Sequence, residues 1–293
     1  MKEYKIVCFY DFDGTLIPDT MFHPILANYG IDANAFFEEC DLFQKILTDD
    51  GLQIDGEHCY MNIFMKYINE KKLPPFMNKD LRKLGEGITF FPGVVDYFKR
   101  SKERINQEFG HQGIKLEHHI VSTGNRQIIL GTEIAPYVDQ VIASEFIEGS
   151  YLGLPQLSLA SISSAIGPNL KPLHFFSVNK GADVDPSINL QRKMRMDHRK
   201  VPFTRMVYVA DGFTDVPPFA ILSDRDGLCV GVYNPRIAGS LETGTKLVTE
   251  GRVHKLVEAN YTKESDLSHI LEGQFKRSAL EIILKKSQIE LPF

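Results

Sequence analysis

Five consecutive apolar residues, Ile6-Val7-Cys8-Phe9-Tyr10, run without alternation into Asp11-Phe12-Asp13-Gly14-Thr15. A short apolar run of this kind reads as a strand buried on both faces, as at the centre of a parallel sheet. Two carboxylates follow where the strand ends, and in open α/β sheets that end is where ligands bind. Alternate residues of an extended chain point opposite ways, but a turn at Gly14 swings Asp13 towards the pocket that holds Asp11. Two such acids side by side repel each other, and a divalent cation reconciles them.

The chain of 293 residues is long enough for one large core, or for a core with a smaller second unit. With 43% hydrophobic and 24% charged residues it has an ordinary globular composition, so neither disorder nor a fibrous repeat is expected. Its net charge of -5 argues against a general nucleic-acid binder and is compatible with a small anionic substrate once a metal is bound. Cys8, Cys40, Cys59 and Cys229 lack CxxC spacing and read as reduced, buried thiols, which suits the cytoplasm. The apolar run before Asp11 is too short for a signal peptide, and no stretch approaches a membrane span. A soluble cytoplasmic protein that engages no membrane is therefore expected.

After Pro18 the pattern changes. Helix-like segments at 21–29, 34–48 and 58–71 succeed one another, broken at Gly30, Gly51 and Pro74-Pro75. Residues 18–89 are expected to form a helical cap over the open end of the sheet, with 1–17 and 90–293 forming the α/β core. Phe36, Phe37, Phe43, Ile63, Phe64 and Tyr67 are expected to pack between cap helices rather than line a ligand box.

Phe90-Phe91-Pro92-Gly93 returns the chain to the core, and 94–109 reads as an amphipathic helix. A second strand, 116–121, ends in Ser122-Thr123-Gly124-Asn125, whose hydroxyls and N–H groups suit an anion, or equally a helix N-cap without a ligand. His118 and His119 point to opposite faces of that strand and are expected to pack rather than share a metal. A third strand is expected at 138–143, and 145–172 reads as a hairpin or flap around Tyr151-Leu152-Gly153. In Asn179-Lys180-Gly181, before a helix expected from near Pro186, the lysine can reach over to a phosphate. Arg192, Lys193, Arg195, Arg199 and Lys200 read as an exposed helix face. Met206-Val207-Tyr208-Val209-Ala210 forms another strand and ends in a second acidic turn, Asp211-Gly212-Phe213-Thr214-Asp215. Pro217 and Pro218 then suit a helix's first turn. One more strand at 227–233 and helices at 267–275 and 277–286 complete the chain, and 234–293 carries no legible chemistry.

In this order the motifs resemble those of the haloacid dehalogenase superfamily of phosphohydrolases. An apolar strand followed by DxDGT is matched by Asp11 to Thr15, and a strand ending in Ser or Thr by Ser122. The family's lysine is matched by Lys180, with Lys171 the poorer candidate because Pro172 follows it. The usual GDGxxD appears as Ala210 to Asp215, with Ala in place of the first Gly. The fold implied is a Rossmann-like parallel sheet flanked by helices, with an inserted α-helical cap like that of phosphoserine-phosphatase-like members. Those members recognise the amino acid with a Glu shortly after the acidic turn, where this chain has Asp19 and Thr20.

The resemblance implies a phosphatase that hydrolyses a small phosphorylated metabolite through an aspartyl-phosphate. Asp11 would be the nucleophile, and Asp13 would protonate the leaving group and then activate water. Mg²⁺ is the implied cofactor, held by Asp11, Asp211 and the backbone oxygen of Asp13, with Asp215 in support. Ser122, Thr123, Gly124 and Lys180 would hold the phosphoryl oxygens. A phosphotransferase with the same nucleophile, or a silent phosphate-binding regulatory module, are the alternatives.

Overall fold

The computed structural model describes residues 3–155 and 158–289, and in it seven strands form one sheet. They are β1 (Tyr4–Tyr10), β2 (Ile114–Asn125), β3 (Gln140–Glu148), β4 (Leu159–Ser164), β5 (Met206–Ala210), β6 (Leu228–Tyr233) and β7 (Lys255–Glu258), in the order β4-β3-β2-β1-β5-β6-β7. All neighbours are parallel except β3 and β4. The apolar run at residues 6–10 is wholly buried because β1 is central and covered on both faces. Ile6, Cys8 and Tyr10 enter one hydrophobic core, while Val7 and Phe9 enter the other with Phe175 and Phe219. Burying each such large side chain contributes about 1.5–3 kcal/mol, so the position of β1, and of whatever follows it, is strongly determined.

Between β1 and α5 (Val94–Phe109) the chain forms four helices: α1 (Phe22–Ala27), α2 (Ala33–Asp49), α3 (Gly56–Asn69) and α4 (Asn78–Gly85). Asp32 starts α2 by accepting the Asn34 N–H at 2.8 Å. These helices meet the following part of the chain where α4 packs on α6 (Arg126–Leu130): a Cβ on Gly131 would lie 1.6 Å from the Arg82 carbonyl oxygen, so only glycine permits this approach. Phe36, Ile63, Phe64 and Tyr67 pack among these helices, as expected, with Phe36 against Tyr67 edge to face at 5.3 Å.

The second half departs from or adds to the sequence reading in three places. Residues 173–178, to which the sequence pattern assigns no element, lie inside α7 (Lys171–Lys180), where Pro172 occupies the first turn and lacks an N–H that would be unpaired there anyway. No helix starts near Pro186. Asp185 accepts the Ser187 N–H and Asn189 the Gln191 N–H, side-chain turns that compete with helix, so the basic cluster Arg192 to Lys200 lies on irregular chain with one short 3₁₀ turn. After α8 (Val216–Ser223) and α9 (Ser240–Thr249), the two helices expected near the end are one, α10 (Asp266–Ile289).

His118 and His119 do face opposite sides: His118 meets Tyr10 and Ser101, and His119 meets His174. The four cysteines are free and buried. Among the described residues, no helix is long and apolar enough to cross a membrane.

Candidate active site

The sheet register brings the two acidic turns together. Tyr10 pairs with Val209 across the β1–β5 ladder, and the Asp11 N–H continues it to the Val209 carbonyl at 3.0 Å. Asp11 and Asp211 therefore leave adjacent parallel strands at the same end. The chain after Asp11 folds tightly, with the Phe12 carbonyl accepting the Leu16 N–H at 2.8 Å. Gly14 takes φ +69°, and a Cβ there would stand 2.2 Å from Asp211 Oδ2. Gly14→Ala is expected to destabilise the protein by about 1–3 kcal/mol, because the left-handed backbone and the carboxylate are both violated. A denaturant melt checks this, and an unchanged midpoint would contradict the tight packing of the two turns.

The third acid of the cluster is Asp215, wholly buried beyond β5. Asp11, Asp211 and Asp215 each offer an oxygen within 4.8 Å of the others. The lysine that joins them is Lys171: its Nζ lies 2.6 Å from Asp215 Oδ1 and 3.0 Å from Asp11 Oδ1. Lys180, the residue favoured from sequence, stands at the other end of α7 and donates to the backbone carbonyls of Leu190 and Arg192, the latter at 2.8 Å. The signal for Lys171 was its neighbour. Pro172, read as a defect, marks a helix start, and a lysine in that first turn faces the acidic cluster. Two further partners have no role assigned from sequence: Thr15, which closes the DxDGT motif, and Tyr208, which lies within an apolar strand. Thr15 Oγ1 donates to Asp211 at 3.3 Å, and the Tyr208 hydroxyl donates to Asp215.

Three carboxylates face one ammonium here, and the pKa directions report the imbalance. Burial, then the Asp215 charge, pushes Asp11 up to about 8. Burial, then Asp215 again, pushes Asp211 up to about 7. Burial opposes the Lys171 charge, but Asp11 and Asp215 outweigh it and hold its pKa above the usual lysine value. Asp11 Oδ1 is buried without a well-formed hydrogen bond. Hard oxygen donors with excess negative charge suit a divalent cation such as Mg²⁺.

The linkage has a definite sign. Asp11, Asp13 and Asp211 hold protons in the folded, metal-free protein that the unfolded chain releases near pH 4, so folded-state stability falls as pH rises from about 4 to about 8. Melting temperature measured in EDTA is expected to decline across that window, and millimolar Mg²⁺ to flatten the decline. A flat profile in EDTA would contradict it.

Asp13 accepts the Met21 N–H at 3.0 Å, and burial followed by the Asp11 charge raises its pKa to about 7. It borders a cavity of about 360 Å³ lined also by Thr20, Phe22, Phe37, Tyr60, Thr123 and Gly124. Phe37, expected as packing alone, thus faces a cavity. Ser122 is buried at the end of β2, where its Oγ accepts the Gly124 N–H at 3.0 Å. Asn125, not Ser122, caps α6, by accepting the Gln127 N–H at 2.9 Å. The Tyr60 hydroxyl donates to the Thr123 carbonyl at 3.0 Å and ties α3 to the same strand end.

The architecture is shared with solved structures. A HAD-family hydrolase from Salmonella enterica serovar Typhi matches with a TM-score of 0.50 and 12% identity over 85% of this chain; the match spans 66% of that protein, just under two thirds. Phosphoserine phosphatase in its apo form matches with a TM-score of 0.51 and 14% identity, covering 92% of this chain and 98% of that one. A phosphoserine phosphatase holding a phospho-aspartyl intermediate analogue matches with a TM-score of 0.50 and 17% identity over 92% and 99% of the two chains. The chain shares the fold of these HAD-family and phosphoserine phosphatase structures. No protein-family model matches the chain. Within that fold the chain belongs to one family with an uncharacterized protein of Borreliella burgdorferi, 32% identical over 279 residues, which are 91% of this chain and 95% of that one.

Proposed function

We propose that the chain is a Mg²⁺-dependent phosphatase that hydrolyses a small phosphate monoester through an aspartyl-phosphate on Asp11. The observation that carries this is the largely buried cluster in which Asp11, Asp211 and Asp215 converge and Lys171 touches Asp11. Asp11, Asp211 and the backbone oxygen of Asp13 would hold the ion, with Asp215 in support. Bound there, it would screen the repulsion between carboxylate and phosphoryl group.

Asp11 attacks phosphorus as the bond to the leaving oxygen breaks, and Asp13 gives that oxygen a proton. A pKa raised to about 7 keeps a proton available for the purpose near neutrality. Asp13 then takes a proton from water as the water oxygen bonds to phosphorus, and the Asp11–phosphorus bond breaks. Ser122, Thr123 and Gly124 offer a hydroxyl and N–H groups to the phosphoryl oxygens, and Lys171 takes the role first read for Lys180. Residues 18–89 act as the cap, and the cavity beneath it receives the alcohol portion of the substrate. One fold neighbour, a phosphoserine phosphatase, holds a phospho-aspartyl intermediate analogue, in keeping with this chemistry in that protein.

The cavity narrows the substrate. Its lining is aromatic, with Phe22, Phe37 and Tyr60, and among the described residues it includes no lysine or arginine. A substrate carboxylate would lack a cationic partner there, so phosphoserine is a poor fit and an uncharged, apolar or aromatic alcohol a good one. Phosphate release from a panel of monoesters tests both levels. Turnover is expected with Mg²⁺ and none in EDTA, with aryl phosphates exceeding phosphoserine by about tenfold or more in kcat/KM. Phosphate binding without turnover across the panel would sink the enzymatic reading.

A further inference from the structure

A second concavity lies at the other end of the sheet. The start of β1, the end of α7, the irregular segment 182–202 and α10 enclose a groove of about 1060 Å³. It is distinct from the acidic cluster, because α7 carries Lys171 at its first turn and reaches the groove only in its last turn, at Val178 and Lys180, about 10 Å or more along the helix.

In a chain of net charge -5, this groove is lined by seven lysines and arginines against three acids. The acids are already engaged. Glu3 pairs with Lys115 at 2.5 Å, Asp197 with Arg195 at 3.2 Å, and Asp183 accepts from Gln140 at 3.3 Å. Lys5 and Lys180 are engaged too, with Glu117 and with backbone carbonyls. Arg205, Lys200 and Lys285 are different: among the described residues no carboxylate lies within ion-pair distance of any of them.

Arg205 is the most telling. It is only 8% exposed, and its guanidinium lies 5.9 Å from the centre of the Tyr4 ring, with Lys286 Nζ 5.3 Å from the same ring. Enclosing a guanidinium without a paired carboxylate costs solvation, which the Tyr4 ring and the more distant charge of Glu281 return only in part. Arg199 also lines the groove, and its Nε is buried with no hydrogen-bond partner. Its guanidinium is satisfied in part by Asn179 Oδ1 at 2.8 Å. Two arginines without a paired carboxylate, beside two lysines that form no ion pair among the described residues, describe a site for several negative charges. The volume far exceeds a single phosphate, and Ile188, Met194 and Ile282 add an apolar wall.

We propose that this groove binds a nucleotide-sized organic polyanion, its phosphates against Arg199, Lys200, Arg205 and Lys285 and its body against Ile188 and Met194. The test is calorimetric titration of the whole protein with ATP in EDTA, where the unscreened carboxylates around Asp11 repel phosphate. Saturable binding is expected. It should weaken at least about tenfold in the Lys200→Glu/Lys285→Glu variant, altered at two exposed positions that leave the core intact, and stay unchanged in Asp13→Ala. Tripolyphosphate, which lacks the apolar body, should bind more weakly than ATP. No ATP binding at millimolar concentration, wild-type affinity in the double variant, loss in Asp13→Ala, or tripolyphosphate equal to ATP would each overturn the proposal.

Discussion

Asp11→Asn is expected to lower kcat for an aryl phosphate by on the order of 10³-fold or more, while the protein stays folded and its monoester affinity changes little. The amide matches the carboxylate in size but is a poor nucleophile, and it removes one of three crowded negative charges. Relief of that crowding has its own signature. Burial and the Asp215 charge hold Asp11 up to about 8, so the neutral amide should raise the melting temperature of the metal-free protein above pH 7. Loss of turnover together with gained metal-free stability identifies Asp11 as a functional acid placed at a stability cost. A variant that keeps turnover would remove Asp11 as nucleophile, whatever its stability.

The second large effect separates two lysines at opposite ends of one helix. Lys171→Met should lower kcat by about 10²-fold or more, because Lys171 touches both Asp11 and Asp215. It should also destabilise the metal-free protein, since two buried carboxylates lose their only ammonium contact among the described residues; removing one partner of a buried pair costs about 3–5 kcal/mol at the upper end. Lys180→Met should leave kcat within about threefold while lowering the melting temperature, because its Nζ holds only the backbone carbonyls of Leu190 and Arg192. Measuring kcat and melting temperature for both variants decides the matter. Turnover lost in Lys180→Met and kept in Lys171→Met would reverse the assignment.

Legibility from sequence followed the range of the forces involved. Residues 6–10 could be read because a strand buried on both faces needs an unbroken apolar run, and all five are fully buried. The amphipathic α5 was readable to the residue, since one polar and one apolar face recur at helical spacing across 94–109. By contrast, 173–178 carries apolar residues without a decisive period, and tertiary packing made it helical. The helix expected after Pro186 lost to side-chain turns at Asp185 and Asn189. Phe37 was assigned to packing because period and hydrophobicity are the same for a residue on a core and one on a cavity wall.

Local chemistry was enough to place Asp11, Asp13, Asp211 and Asp215 at strand ends, since apolar runs and glycine turns leave their marks within a few residues. Which side chains then meet was beyond it. The β1–β5 register sets Asp11 beside Asp211, the packing of α7 delivers Lys171 rather than Lys180, and the chain's approach at Gly14 leaves no room for a side chain. These contacts join residues far apart in sequence, and no local pattern encodes the distance between them. Strand position is a property of neighbouring residues, whereas the charge balance of a buried cluster exists only once the sheet has closed around it.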